Sequence, residues 1–328
     1  MRDLRPRGPR GLCGMRPLRT RGTLRGRLAA RLPACAVAGG CGMTGAPGAS
    51  DPVFVRSTND YSSYADFWRL VELSGFPMVR SNQADLGIQS ACYVWVEMDP
   101  DSLEHLIRLE RTRASRVVWW YLERPDANPR PGIPPEEMFR QAVGEVLSWV
   151  DQVWVSDRGL QRIEPETVFA VLGSHPGLAE PAPSEERWDA VHVGQRTPRR
   201  ATAIERLRTL GYTVAEPSYG APRARALSAS RALVGIDRVE GLHVGAPLRW
   251  ALAAAYRLAI VNEEVPDPYP LEPGKSIILS PYDELPEATA GCLARDPKAV
   301  GEAAWRKLCL EWTFRKGVLE ALKEGHGP

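Results

Sequence analysis

Beyond Ser50 the chain alternates short apolar segments with longer segments whose apolar positions recur at helical spacing. The apolar segments are rich in β-branched and aromatic residues: VFVRS at 53–57, PMVR at 77–80, ACYVWVEM at 91–98, RVVWWYL at 116–122 and DQVWVS at 151–156. The helical spacing occurs between them, in DFWRLVELSG, SLEHLIRLERT and PPEEMFRQAVGEVLSWV. Nearly continuous apolar strands separated by amphipathic helices predict a parallel sheet that is covered by helices on both faces.

The same alternation starts again after a segment rich in Pro, Ala and Glu that ends near Trp188. The second series runs through DAVHV, TPRRATAIERLRTLG, YTVAE, APRARALSAS, RALVGID, PLRWALAAAY, RLAIVNE, SIILS and YDELPEATAGCLA, and closes with one or two helices. We therefore predict an α/β protein with two Rossmann-like, doubly wound domains, at 51–175 and 189–328, joined by a linker at 176–188. Such domains face a cleft, and a ligand is expected there, at the carboxyl ends of the strands.

The N-terminal segment differs in composition from the rest of the chain. Residues 1–42 contain ten Arg, no Lys and one acidic residue, which leaves a net charge of −7 on residues 43–328. We predict a disordered Arg/Gly/Pro-rich extension at 1–50. A dispensable extension, or a true start at Met43, fits this composition better than a targeting leader. The acidic remainder argues against nucleic acid as the main partner.

Two further patterns concern location. No uninterrupted apolar run of about 18 residues is present, so we expect no membrane span. Cys92, Cys292 and Cys309 are far apart and show no metal-ligand spacing, which predicts free thiols in a reducing compartment. We expect a cytoplasmic protein, or one that associates peripherally with a membrane.

The stretch from Trp188 to Arg200 predicts an anion site. The strand WDAVHVG leads through QRTPRR into a helix, and free backbone N–H groups and the helix dipole both favour negative charge at such a helix start. The predicted phosphate ligands are Gly194, Arg196, Arg199 and Arg200. The alternative is a solvated basic turn, but arginines at a helix start are unfavourable for the dipole unless an anion is present.

Other candidates follow strands or begin helices. Arg249 lies in the first turn of the helix PLRWALAAAY, and Glu264 follows the strand RLAIVNE, where a carboxylate could accept a ribose or sugar hydroxyl. Glu123 follows RVVWWYL, and His175 lies in LGSHPGL; either could address an acceptor hydroxyl as a base. The alternatives are a loop acid for Glu264, a loop salt bridge for Glu123 and a structural turn histidine for His175.

A metal site is the weaker interpretation of the acidic DPD segment. Asp99 and Asp101 could chelate a divalent cation, but they directly precede the helix SLEHLIRL, where acidic residues commonly cap. We therefore predict no metal site and no cofactor.

Six motifs in fixed order resemble one family of enzymes. They are RVVWWYLERPDANP, DQVWVSDRGL, DAVHVGQRTPRRATAIERLRTLGYTV, PLRWALAAAYRLAIVNEE, SPYDEL and TFRKGVLEAL. Over about residues 116–322 they resemble the glycosyltransferases grouped with bacterial spore-maturation proteins, which are similar to group-1 glycosyltransferases of GT-B fold. The resemblance implies metal-independent transfer of a sugar from a nucleotide-diphosphate donor, held mainly by the second domain, to an acceptor hydroxyl held mainly by the first.

The resemblance also assigns residues and shows departures. Gly194 and the three arginines of QRTPRR match the donor-phosphate loop, and Arg249 matches the arginine that opens the nucleotide-site helix. Where the family places a glutamate in that helix, three positions after the arginine, this chain has Leu252, and the family's following glycine is Arg257 here. Leu252 cannot accept a ribose hydroxyl, so a non-catalytic GT-B-like binding protein is the first alternative. A metal-dependent transferase that uses Asp99 and Asp101 is the second.

Overall fold

The structure is a computed structural model that describes most of the chain beyond residue 50. The described residues are 51–56, 64–81, 90–96, 116–122, 132–179, 188–240 and 244–324. The predicted helix SLEHLIRLERT lies outside them. Within the described ranges, no helix combines the length and the apolar character that a membrane span needs.

Parallel strands and three helices make up the described part of the first domain. The strands are β1 (Val53–Arg56), β2 (Met78–Arg80), β3 (Cys92–Val96), β4 (Arg116–Tyr121), β5 (Gln152–Val155) and β6 (Val168–Phe169), in the order β2-β1-β3-β4-β5-β6. The helices are α1 (Ala65–Leu73), α2 (Pro135–Leu147) and α3 (Arg158–Ile163). The sheet is buried on both faces, because Phe54 packs into one apolar cluster while Val53 and Val55 pack into another.

The second domain repeats this architecture. Its strands are β7 (Trp188–Val191), β8 (Val214–Ala215), β9 (Ser230–Gly235), β10 (Ala259–Glu263) and β11 (Ile278–Ser280), all parallel and in the order β11-β10-β9-β7-β8. Its helices are α4 (Pro198–Thr209), α5 (Ala221–Ser228), α6 (Pro247–Ala255), α7 (Leu285–Ala294) and α8 (Pro297–Trp305). The predicted α/β fold of two parallel-sheet domains is confirmed. The domain boundaries stay a prediction.

The end of the chain returns to the first domain. A π-helical turn (Arg306–Glu311) follows α8, and the last helix, α9 (Phe314–Glu324), packs on the first sheet. The ring of Phe314 stacks on Trp120 with centroids 5.7 Å apart, and Arg315 donates to the Asp51 carboxylate at 2.8 and 2.9 Å. Ser174 and Thr313 form a parallel bridge between the segment that follows β6 and the segment that precedes α9.

The strand order decides where a ligand can bind. In the second sheet β8 and β9 lie on opposite sides of β7, which makes a topological switch point at the carboxyl end of β7. In the first sheet β2 and β3 flank β1 in the same way. Crevices for ligands open at such points.

Candidate functional site

A cavity of about 380 Å³ lies between the carboxyl ends of the two sheets. The first domain contributes Tyr64, Tyr121, Leu122, Ser156, Asp157, Leu160 and Leu172 to its lining. The second contributes Val193, Gly194, Gln195, Arg200, Tyr219, Arg223, Arg238, Val244, Gly245, Ala246, Pro247, Leu248, Arg249 and Leu252. The arginines of the described lining all belong to the second domain, so positive charge is concentrated on one wall.

The start of α4 brings two predicted residues into this wall. Gly194 has a φ of 141°, a conformation that L side chains rarely adopt, and Thr197 caps the helix by accepting from the backbone N–H of Arg200. The guanidinium of Arg200 is buried; its Nε donates to the Ile236 carbonyl at 3.0 Å and its Nη1 to the Gln195 carbonyl at 2.7 Å. Backbone carbonyls thus fix a buried positive charge at a helix N-terminus.

The start of α6 adds a second guanidinium to the same place. Arg249 lies in the first turn of α6, and its Nη1 donates to the Ile236 carbonyl at 3.5 Å. Ile236 directly follows β9, so Arg200 and Arg249 share one acceptor next to the switch point. Two converging guanidinium groups at two helix N-termini favour an anionic ligand.

A buried histidine lies beneath this pair. His192 donates from Nδ1 to the Val234 carbonyl at 2.9 Å, which leaves Nε2 as an acceptor. Burial lowers the pKa of His192 to about 3, and the positive charge of Arg249 acts in the same direction. The imidazole is therefore neutral, and it adds no charge to the positive wall.

Arg199 is directed away from the cavity lining into an internal ion pair. Its guanidinium donates to both carboxylate oxygens of Glu263 at 2.6 and 2.7 Å and lies over the ring of Tyr282 at 3.7 Å. Burial disfavours the charged form, but hydrogen bonds to Glu263 outweigh it and raise the pKa of Arg199 above its ordinary value. The anion that the helix start was expected to need is, for this arginine, a carboxylate of the protein.

Two other predicted donor ligands also lie outside the cavity lining. Arg196 is exposed and pairs with Glu205 at 3.5 Å and Glu216 at 3.7 Å. Glu264 is exposed at the end of β10, where its backbone N–H donates to the Ser280 carbonyl. The acidic residue with a defined structural role at this strand end is Glu263.

The structure describes one of the two residues that were predicted to address the acceptor. His175 is not part of the described lining; its Nδ1 accepts from the Gly177 N–H at 3.0 Å and caps a short 3₁₀ turn, as the structural alternative expects. Glu123, Asp99 and Asp101 lie outside the described residues. Leu122, which precedes Glu123 in sequence, lines the cavity.

Leu252 lies in the cavity wall one helical turn after Arg249 and is 2% exposed. The resemblance places a carboxylate there. The one acidic residue of the described lining is Asp157, which accepts from the backbone N–H groups of Leu160 and Gly245. At the position three residues after Arg249, the described lining is thus aliphatic and not acidic.

Sequence reasoning missed Asp157, Tyr219, Arg223 and Arg238. The sequence does indicate a structural role for Asp157, because an acidic residue between a strand and the helical segment RGLQRI is a typical helix N-cap. No local sequence pattern indicates a role for Arg223, since its partner Asp66 belongs to α1 of the other domain.

No protein-family model matches the chain, and no curated protein matches it by sequence. Solved structures do match. Anabaena Alr3699/HepE in complex with UDP and glucose is 11% identical, with a TM-score of 0.56 over 84% of this chain and 100% of that one. The same protein in complex with UDP-glucose gives 11% identity and a TM-score of 0.56 over 84% and 99% of the two chains. AviGT4, a glycosyltransferase involved in avilamycin A biosynthesis, is 12% identical, with a TM-score of 0.49 over 83% and 97%.

At these identities the likeness concerns the fold. Alr3699/HepE is covered over its whole length, and the likeness extends over 84% of this chain. The chain therefore has the two-domain α/β fold of Alr3699/HepE, which is the GT-B arrangement that the sequence predicted.

Proposed function

We propose that the protein transfers a sugar from a nucleotide-diphosphate donor to an acceptor hydroxyl. The observation that carries this proposal is the convergence of Arg200 and Arg249 on the Ile236 carbonyl, at the first turns of α4 and α6. A diphosphate matches two guanidinium groups and two helix N-termini. Alr3699/HepE, which has the same fold, binds UDP and UDP-glucose, and this supports a nucleotide sugar as the donor class. The proposed similarity of this chain to the spore-maturation group of glycosyltransferases rests on the six sequence motifs.

The chemistry follows from the charge of the leaving group. The bond between the anomeric carbon and the diphosphate oxygen breaks, the acceptor oxygen bonds to that carbon, and the acceptor proton passes to a base. The nucleoside diphosphate gains negative charge as it leaves. Arg200 and Arg249 are already fixed by backbone carbonyls, so they can stabilise this charge without reorganisation. Glu123 remains the proposed base and His175 the second choice.

Binding of the donor is tested by thermal unfolding with nucleoside diphosphates and their sugars. A ligand that binds only the native state, at about 100 times its Kd, adds about 2.7 kcal/mol to the free energy of unfolding. We expect Arg249→Gln to raise the Kd of the ligand about 10- to 100-fold, since it removes hydrogen bonds to a charged group. Arg206→Gln is the matched control, because Arg206 pairs with Glu287 outside the cavity lining. If no nucleotide raises Tm, the donor-site proposal fails.

Leu252 favours a second candidate function, a protein that binds a nucleotide sugar without turnover. An aliphatic residue occupies the place where the resemblance expects a carboxylate. The two candidates differ in one measurement: release of UDP from UDP-sugars, with transfer to a panel of acceptors. Turnover that disappears in Arg249→Gln supports the transferase, whereas tight binding without turnover supports the binding protein.

Removal of metal ions distinguishes the metal-independent transferase mechanism from the metal-dependent one. We expect turnover to persist in excess EDTA, because the two arginines provide the positive charge that a cation would otherwise supply. Loss of activity in EDTA that Mg²⁺ or Mn²⁺ restores would instead favour the metal-dependent alternative with Asp99 and Asp101.

A further inference from the structure

Asp157 connects the two domains at the edge of the cavity. It follows β5 in the first domain, and its side chain is buried, with the residue 4% exposed. Oδ1 accepts from the Leu160 N–H at 3.1 Å and caps α3. Oδ2 accepts from the Gly245 N–H of the second domain at 2.7 Å. One carboxylate therefore binds backbone donors of both domains, and bonds from N–H groups to a charged acceptor are among the stronger hydrogen bonds in proteins.

Gly245 is held tightly between this carboxylate and the start of α6. A Cβ atom at Gly245 would lie 2.7 Å from Oδ2 of Asp157 and would also collide with the ring of Trp250. Trp250 is itself fixed, because its Nε1 donates to the Asn262 side chain on β10 at 3.2 Å. The segment 244–246 thus fits between a first-domain carboxylate and a second-domain indole.

The same segment leads directly into the positive wall. The Ala246 carbonyl accepts from the backbone N–H groups of Arg249 and Trp250, so residue 246 belongs to the first turn of α6. A shift of Gly245 would move the turn that carries the Arg249 guanidinium. A displacement of about 1 Å at a binding group is enough to cost large factors in affinity or rate.

We propose that Asp157 is a positioning residue that holds the first turn of α6, and with it Arg249, in the orientation that binds an anionic ligand. The identity of the ligand as a nucleoside diphosphate rests on the proposed function. The new element is that the affinity of the second-domain wall depends on a carboxylate of the first domain. A second cross-domain contact, the ion pair of Asp66 with Arg223, lies on other elements and remains when Asp157 is changed.

The central test is Asp157→Asn. The Asn side-chain oxygen can still accept from Leu160 and cap α3, but its amide group cannot accept from the Gly245 N–H. We expect the Kd of UDP to rise about tenfold or more, and amide hydrogen exchange at Gly245 to become faster. Asp157→Ser is the second variant, because Ser also caps a helix yet is too short to reach Gly245. It should have the same two effects.

Asp296→Asn is the matched control. Asp296 caps α8 in the same way, accepting from the Ala299 N–H at 3.1 Å, but it is exposed and outside the cavity lining. Asn caps a helix about as well as Asp, so Asp296→Asn should leave both stability and UDP affinity nearly unchanged. A capping defect alone is produced by Asp296→Ala, which should reduce stability with unchanged UDP affinity, whereas both Asp157 variants should change the affinity.

Inorganic pyrophosphate is the second probe, because it carries the charge without the nucleoside. If wild-type protein binds pyrophosphate but no nucleotide, the nucleotide-donor proposal fails, while weaker pyrophosphate binding in Asp157→Asn still supports the positioning role. Equal Kd values in wild type and Asp157→Asn, or equal Gly245 exchange, overturn the positioning role. So does a wild-type protein that binds neither anion.

Discussion

His192 shows how neighbouring groups set the charge of one residue. The imidazole is 2% exposed, its Nδ1 is committed to the Val234 carbonyl, and its Nε2 has no hydrogen-bond partner among the described residues. Arg249 and Arg200 are the charged groups that act on it, and both disfavour the imidazolium. A neutral ring beneath two guanidinium groups keeps the anion site from acquiring a third positive charge inside the core.

This environment predicts a pH dependence of stability. The unfolded chain takes up a proton on His192 near the ordinary pKa of 6.5, whereas the native state does so only near the pKa of about 3. The unfolded state therefore binds more protons between these values, and the free energy of unfolding falls as pH is lowered through this window. The slope from this residue approaches about 1.4 kcal/mol per pH unit.

The measurement is urea unfolding at about pH 7, 6 and 5. The comparison variant is His192→Asn, whose side-chain amide can still donate to the Val234 carbonyl but does not titrate in this range. We expect a smaller loss of stability on acidification in His192→Asn than in wild type. Equal losses in the two proteins would mean that His192 is protonated in the native state.

At the scale of elements, the start of α4 can be predicted from local sequence, but the partners of its arginines cannot. The glycine turn, the Thr197 cap and the following proline are local signals, and the structure has a helix that begins there. The roles of the arginines are not local. Arg199 pairs with Glu263, 64 residues away in sequence, while Arg200 faces the cavity. Adjacent arginines with the same local pattern thus take different partners.

The strands likewise differ in how well local sequence predicts them. Central strands such as β4 were predicted within a residue or two, because burial on both faces requires continuous apolar sequence. YTVAE was predicted too long, since the ladder there covers only Val214–Ala215. β8 is an edge strand, which proteins keep short to avoid unwanted pairing. Pairing partners, and with them strand ends, are set by tertiary structure.

Capping by Thr197 gives a prediction for this element. Thr197→Ala removes the acceptor for the Arg200 N–H and should lower the free energy of unfolding by about 1 kcal/mol. Because the first turn of α4 carries Arg200, UDP affinity should fall as well. Thr202→Ala is the control: Thr202 is exposed on the same helix, and its loss should change stability by less than about 0.5 kcal/mol. Equal effects of the two variants in urea unfolding would contradict the capping role.

At the scale of the whole molecule, two crossing segments join the domains. Next to the Ser174–Thr313 bridge, Gly173 contacts the backbone of the second segment so closely that a Cβ atom would collide with the Trp312 carbonyl. Gly317 of α9 likewise approaches the Val171 backbone. The connection between the domains is packed backbone against backbone.

Gly173→Ala tests this packing. The added methyl group meets backbone atoms that cannot rotate away, so we expect a loss of about 3 kcal/mol or more in the free energy of unfolding. Gly144→Ala is the matched control, because Gly144 lies in α2 and a methyl group added there would meet no atom of another element within 4 Å among the described residues. That variant should be neutral or more stable by up to about 1 kcal/mol. Similar midpoints of urea unfolding for both variants would contradict the close approach.

The paired crossing also limits how the two domains can move. A single connecting segment would allow one domain to twist about the axis of that segment. The bridge between Ser174 and Thr313 ties the two connecting segments together and opposes such twisting. Because Asp157 accepts from the Gly245 N–H across the cleft, an opening that breaks this bond would also release the first turn of α6, which carries Arg249. Arg200 would stay fixed by the Gln195 and Ile236 carbonyls of the second domain, so cleft opening would change one arginine of the anion site and not the other.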